Sequence, residues 1–205
     1  PASAYVGCDD CIENKGIHLV ANDPVVVYSH IHANARSDAT LVLPTTTLGR
    51  DYYAMSFTQA STGSAHRNQF MVLATEDSTL IEITPTANNT TGFRQANTTF
   101  TVSLNKGEVY QYRSTSDITG SRLLSVSSGS GGCKRISVFS GSSFTVLGCT
   151  GAGSGDNLYQ QMYPVSAWGK EFITVPMKTR TGGDYFRVLA SADNTQVYVN
   201  NTFQK

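Results

Sequence analysis

His30 and His32 stand two apart in a β-patterned segment, so both point to one face of a strand and could ligate a metal. The preferred reading is plainer: two polar residues on a solvent face, opposite Val27, Ser29 and Ile31. Asp23, Asp38, Asp77, Asp156 and Asp193 all fall in turn-like sequence, where an aspartate ordinarily stabilises the turn through backbone bonds. A calcium site built from some of them is the alternative, since loops between strands supply oxygen ligands. Glu76 and Asp77 are adjacent carboxylates, but neighbours on a turn diverge, and glycosidase chemistry needs two that face each other. GAGSG at 151–155 has its serine one place away from a nucleophile elbow. Phosphate-cradling, dinucleotide and HExxH spacings are absent. Trp168 and the ten tyrosines offer sugar-stacking surfaces, with packing under a loop preferred for Trp168. No catalytic, cofactor or metal residues are expected, and the chain is not read as an enzyme.

The cysteines carry a different chemistry. Cys8 and Cys11 lie in CDDC, a spacing open to a small disulfide loop or to two metal thiolates. A zinc ribbon would need a second such pair, and a thioredoxin-like site a βαβ setting. Cys133 and Cys149 flank two strand-like runs, 135–139 and 144–148. A hairpin turning at Ser140–Gly141–Ser142 would place them opposite each other, near bridging distance. Disulfides 8–11 and 133–149 are therefore expected, with a link from the N-terminal arm to Cys133 or Cys149 as the rival. Either implies an oxidising, extracellular compartment. Four sequons agree: Asn88, Asn89, Asn97 and Asn200, three of them crowded in one polar loop.

The elements that must hold these residues are strands. Of 205 residues only 15% are charged, and the balance is made up by 22 Ser and 24 Thr, a composition that suits strands and turns over solvent-facing helices. Fifteen basic and fifteen acidic residues cancel, leaving no electrostatic footprint for nucleic acid or an anionic membrane. Apolar runs such as VVVY at 25–28 are far below membrane-spanning length. Strands are expected at 17–21, 25–32, 39–43, 51–57, 69–75, 79–84, 99–104, 108–113, 122–127, 135–139, 144–148, 171–176, 184–190 and 195–200. Hairpins are expected at Glu76–Asp77–Ser78 and at Asn105–Lys106–Gly107, and one helical turn near 157–163.

The chain also repeats itself. IHLVANDPVVV at 17–27 parallels ISVFSGSSFTV at 136–146, LPTTTLGRDYY at 43–53 parallels YPVSAWGKEFI at 163–173, and FMVLATEDSTLIEI at 70–83 parallels FRVLASADNTQVYV at 186–199. The offsets are 119, 120 and 116 residues. The organisation expected is an arm over 1–14 with the CxxC, a first β unit over 15–133, and a second, incomplete unit over 134–205 whose parent chain continues.

Particular stretches bear a family's marks. KRISVFSG at 134–141 ends a strand in V-x-S-G. The run from Asp156 reads DNLYQQMYPVSAWGKEFITV. It fits D-x-L-x-E-Q-x-x-P-x-x-x-W-G-x-x-F at Gln161, Pro164, Trp168, Gly169 and Phe172, with Gln160 where the pattern has Glu. KGIHLVANDPVVVY at 15–28 and ATLVLPTTTLGRDYY at 39–53 fit the accompanying strand and P-x-x-x-L-G turn. The sequence thereby resembles the N-terminal domain of the IgG-Fc-binding protein family over roughly 15–205. The resemblance implies a non-enzymatic domain of large secreted, mucin-like or adhesive proteins. Immunoglobulin binding has no residue signature here and is not carried over.

The fold expected is all-β, antiparallel sandwich units of about 120 residues in tandem or sharing strands, with a propeller-like arrangement as the alternative. The function expected is a structural or adhesive extracellular module of a larger glycoprotein, open to fibre assembly by strand addition. A carbohydrate-binding module, calcium-dependent or not, is the runner-up. Partners are other extracellular proteins, glycans or further copies of the chain, with no nucleic acid and no membrane insertion.

Overall fold

The computed structural model describes residues 6–33, 36–59, 66–127, 132–147, 155–175, 178 and 184–205. They divide into two compact units, residues 1–168 and 169–205.

The first unit is an all-β, sandwich-like body. Among the described residues eleven strands build it: β1 (Cys11–Asn14), β2 (Val27–Ala33), β3 (Arg36–Val42), β4 (Asp51–Tyr53), β5 (Asn68–Ala74), β6 (Thr79–Thr84), β7 (Phe100–Leu104), β8 (Glu108–Ser114), β9 (Arg122–Val126), β10 (Ile136–Thr145) and β11 (Asp156–Gln161). One sheet runs β1-β8-β5-β10-β11, a second β4-β9-β6-β7, and β2-β3 form a hairpin. Every ladder is antiparallel and neither sheet closes into a barrel or a propeller blade ring.

Period-two alternation explains the core. In β5, Asn68, Phe70, Val72 and Ala74 are buried while Gln69, Met71 and Leu73 are half-buried. In β6, Thr79, Ile81 and Ile83 point inward. Tyr52, Tyr110, Tyr112, Val102, Leu104, Leu123, Ile136 and Val138 complete one cluster drawn from both large sheets. Burying each such side chain contributes about 1.5–3 kcal/mol. Phe70 and Tyr112 stack with centroids 4.9 Å apart.

Both expected hairpins prove to be arches between sheets. β5 pairs with β8 and β10, whereas β6 pairs with β7 and β9, so the turn at Glu76–Asp77–Ser78 crosses the sandwich. β7 and β8 likewise lie in different sheets. The two arches brace each other. Asp77 accepts from the Lys106 amide at 2.9 Å, and Asn105 Oδ1 accepts from the Ser78 amide at 3.2 Å. Ser78 supplies φ 53° and Gly107 φ 83° for these corners.

The hairpin expected at Ser140–Gly141–Ser142 is absent, because β10 continues straight through from Ile136 to Thr145. β5 on one side and β11 on the other hold it extended. The helical turn expected near 157–163 is strand β11, followed by a single 3₁₀ turn at Val165–Ala167. That turn matches the one at Thr45–Thr47. Each follows a proline, with φ/ψ of −57°/146° at Pro44 and −63°/151° at Pro164, and each leaves through an extended residue, Leu48 or Trp168.

β3 and β11 run in the same direction, side by side, without a backbone ladder. The Ser37 amide donates to Asp156 Oδ1 at 3.0 Å, Tyr159 to Asp38 Oδ2 at 2.7 Å, Gln161 to Thr40 Oγ1 at 2.9 Å and Leu43 to Gln161 Oε1 at 2.6 Å. These partners are 118–121 residues apart, so residues equivalent in the repeat lie abreast.

Among its described residues the second unit holds one short hairpin, β12 (Tyr198–Val199) with β13 (Thr202–Phe203). Asn200 and Asn201, with φ 47° and 63°, make its two-residue turn. The strands expected at 17–21, 171–176 and 184–190 enter no sheet among the described residues, with residue 176 lying outside them, and 195–200 shortens to Tyr198–Val199. Conversely β1, too short to show alternation, pairs with β8.

Candidate binding surface

The outer face of β5, β10 and β11 and the β2-β3 hairpin enclose a groove of about 170 Å³. Met71, Phe139, Gly141 and Tyr159 form its floor and wall, and Ile31 and Arg36 its opposite side. Gly141 is required there: a Cβ would sit 1.8 Å from the Leu158 carbonyl oxygen of β11. Tyr159 stacks on Phe139 at 5.7 Å, and its hydroxyl shares a 3.0 Å hydrogen bond with Ser29 Oγ. Burial raises the Tyr159 phenol's pKa. Arg36 donates to the Ser143 carbonyl at 3.0 Å and lies 4.7 Å over the Phe144 ring, on which His66 packs at 4.6 Å. The hairpin is thus pinned to the sheet by the Ser29–Tyr159 hydrogen bond and by the Arg36 guanidinium.

This arrangement can hold an apolar or small polar group by contact and hydrogen bonding. Its serines are engaged in structure. Ser140 Oγ donates to the Gln69 carbonyl, and Ser142 Oγ bonds the Phe57 backbone and Asn68. Neither is bonded to a histidine or a carboxylate. Sequence reasoning missed Arg36 and Tyr159. Tyr159 fell inside the expected helical turn, and Arg36 lay outside the strand expected at 39–43.

A second polar cluster anchors the N-terminal arm. Asp10 accepts from Tyr110 Oη at 2.5 Å and from Arg94 Nε at 3.1 Å, while Arg94 lies 4.1 Å over Phe100. Asp9 pairs with Arg113 at 2.7 Å. Burial first, and then the Asp10 carboxylate, push the Tyr110 phenol far up. Cys8 and Cys11 are joined in a disulfide with Cα atoms 5.9 Å apart, which removes the thiolates that a metal would need beside Glu13.

His30 and His32 are exposed on β2. Two of the five aspartates are not in turns. Asp38 lies in β3 and Asp156 opens β11, where their carboxylates accept the seam amides described above. A strand edge with no backbone partner takes acceptors from side chains instead. Asp77 braces the arches, and Asp23 and Asp193 sit exposed in a bend and a turn. Among the described residues none of these joins a group with metal-ligand geometry. Glu76 and Asp77 share a turn. Trp168 is half-buried, packs 5.8 Å from Tyr53 and donates to the Tyr163 carbonyl.

Cys133 is an exposed free thiol, and Cys149 lies outside the described residues. Without the hairpin, the register that argued for their bridge does not form. Asn88, Asn97 and Asn200 are exposed. Asn89 is 5% exposed; its Oδ1 accepts from the Arg94 amide, and its Nδ2 is buried.

Two antiparallel sheets around one core, with an arm held on by the β1–β8 ladder and by ion pairs, define an all-β sandwich domain. A family model described as IgGFc binding protein matches residues 38–205, and the chain belongs to that family. Neither the curated proteins nor the solved structures yield a match.

Proposed function

We propose that this chain is a non-catalytic extracellular module, structural or adhesive, of a larger secreted or cell-surface glycoprotein. Its partners are other extracellular proteins or glycans. Family membership over 38–205 is the observation that carries this reading. The Cys8–Cys11 disulfide supports an oxidising compartment, and the exposed Asn88 and Asn97 support a glycan-bearing loop. No helix among the described residues is long and apolar enough to cross a membrane. The groove suits recognition: an aromatic wall, a small-residue floor and hydroxyls already committed to backbone bonds.

The test is to immobilise the intact chain and titrate it with IgG Fc fragment and a panel of glycans, with and without EDTA. Saturable binding that ignores EDTA, with every ligand recovered unchanged, is the expected result. Loss of binding on chelation would move the reading to a calcium-dependent glycan module. Turnover of any probe would overturn the non-catalytic assignment.

A further inference from the structure

The groove on the outer face of the first sheet is built around a missing side chain. Gln69, Gly141 and Tyr159 stand abreast on β5, β10 and β11, because Gly141 is the register partner of both others. One row along, Met71 is the partner of Phe139. Gly141 therefore leaves a notch with Gln69 on one side, Tyr159 on the other, and Met71 and Phe139 beyond. Strands about 4.8 Å apart set its two walls roughly 10 Å from each other at the backbone, room for one ring between side chains. A volume of about 170 Å³ is well below the roughly 300 Å³ at which pockets begin to take drug-sized ligands, so the groove holds one residue of a longer ligand.

The groove lies on a sheet face and not at an edge. β5 and β10 are laddered on both sides, and the free side of β11 is taken by the seam with β3. An extended peptide therefore finds no row of backbone groups to add to, and recognition falls to side chains. Asn157 lies on the same strand face as Tyr159 and lines the groove, and its Nδ2 is buried without a hydrogen-bond partner. An unpaired buried donor is costly, and rotating it onto an acceptor of a bound group removes that cost. Among the described residues Arg36 is the only charged side chain that lines the groove. It donates to the Ser143 carbonyl at 3.0 Å and lies 3.5 Å from His66 Nε2, which leaves N–H groups of its fork unspent. The carboxylates of Asp38 and Asp156 are occupied by the amides of Ala39, Tyr159, Ser37 and Asn157.

We propose that the groove binds a single sugar residue that carries a carboxylate, with the ring against Phe139 and Tyr159 and the carboxylate on Arg36 and Asn157. Carboxamides such as those of Gln69 and Asn157 both donate and accept, as sugar hydroxyls require, and the aromatic wall suits the C–H face of the ring. A guanidinium with no carboxylate beside it in the groove complements an anion. The proposal rests on the reading of this chain as a module that binds extracellular partners, and names the class of glycan it takes. Because a guanidinium meets the carboxylate, no calcium bridge is involved.

The test follows the Met71 methyl group by NMR of the full chain labelled at methionine, in EDTA, with its signal assigned from Met71→Leu protein. Glucuronate and N-acetylneuraminate are the acidic probes, and glucose is the neutral counterpart of the first. At least one acidic sugar is expected to move the Met71 signal saturably, at concentrations several-fold below any response to glucose. Asn157→Asp sets a like charge before the sugar carboxylate while keeping the backbone ladder, and is expected to weaken binding roughly ten-fold or more. Arg36→Gln is expected to do the same. Equal responses to glucuronate and glucose, with none of greater strength to N-acetylneuraminate, would overturn the inference. So would a response to an acidic sugar that survives both substitutions. A Met71 signal that ignores all three sugars would overturn it as well, while the Fc and glycan titration of the intact chain judges the broader reading separately.

Discussion

Tyr52 ties the two halves of the core together with a single hydroxyl. It accepts from the Gly49 amide at 2.8 Å and donates to the Ile136 carbonyl at 2.9 Å, with the ring fully buried. Tyr52→Phe strands both backbone groups and should cost about 1–3 kcal/mol in urea unfolding. Burial raises this phenol above its ordinary value, as it does that of Tyr110. A raised folded pKa means that the unfolded chain ionises first as pH climbs. Stability from these tyrosines is therefore complete below about pH 10 and declines as pH rises beyond it. Denaturant midpoints measured from pH 8 to 11 should be flat and then fall. At the arm, Asp10→Ala leaves Arg94 and the Tyr110 hydroxyl without their acceptor and should cost about 3 kcal/mol, read by thermal unfolding. Little of this was legible in sequence. Asp10 sat in CDDC and drew attention only to its cysteines, and a tyrosine's hydroxyl partner is a matter of tertiary placement.

At the level of elements, most central strands of the first unit were legible and their pairing was not. Alternation in 79–84 marked β6, and FMVLA marked β5, but the same alternation serves a hairpin or an arch. Phe70 and Ile81 meet in one core whether their strands pair or face each other across it. The strand expected at 184–190 has the same pattern as β5 and takes no ladder. A β pattern fixes which side is apolar, while the hydrogen bonds need a neighbour. β10 was misread because Ser140–Gly141–Ser142 looks like a turn. Gly141 is there for close approach to Leu158, and Gly141→Ala should drive β11 off β10. Faster amide exchange over Asp156–Gln161, with the β5–β8 ladder unchanged, is the expected signature.

For the molecule as a whole, the sequons sort by burial. Intact-mass and site mapping of protein from a eukaryotic secretory host should find sugar on Asn88 or Asn97 and none on Asn89, whose Nδ2 is buried. The repeat was the most informative sequence feature, since its offset of about 120 residues reappears in the bonds that set β3 beside β11. The use of β10 to complete the sheet of β5 was beyond it, because similarity between segments carries no record of their neighbours. The β3–β11 seam also sets a mechanical order of events. Four amides there are caught by side chains, where each adjoining ladder is zipped by backbone. Side-chain acceptors yield by rotating a bond, whereas a ladder must shear several hydrogen bonds together. Under a pulling force the sandwich would part along this line first, lengthening by a short step while its core stays shut.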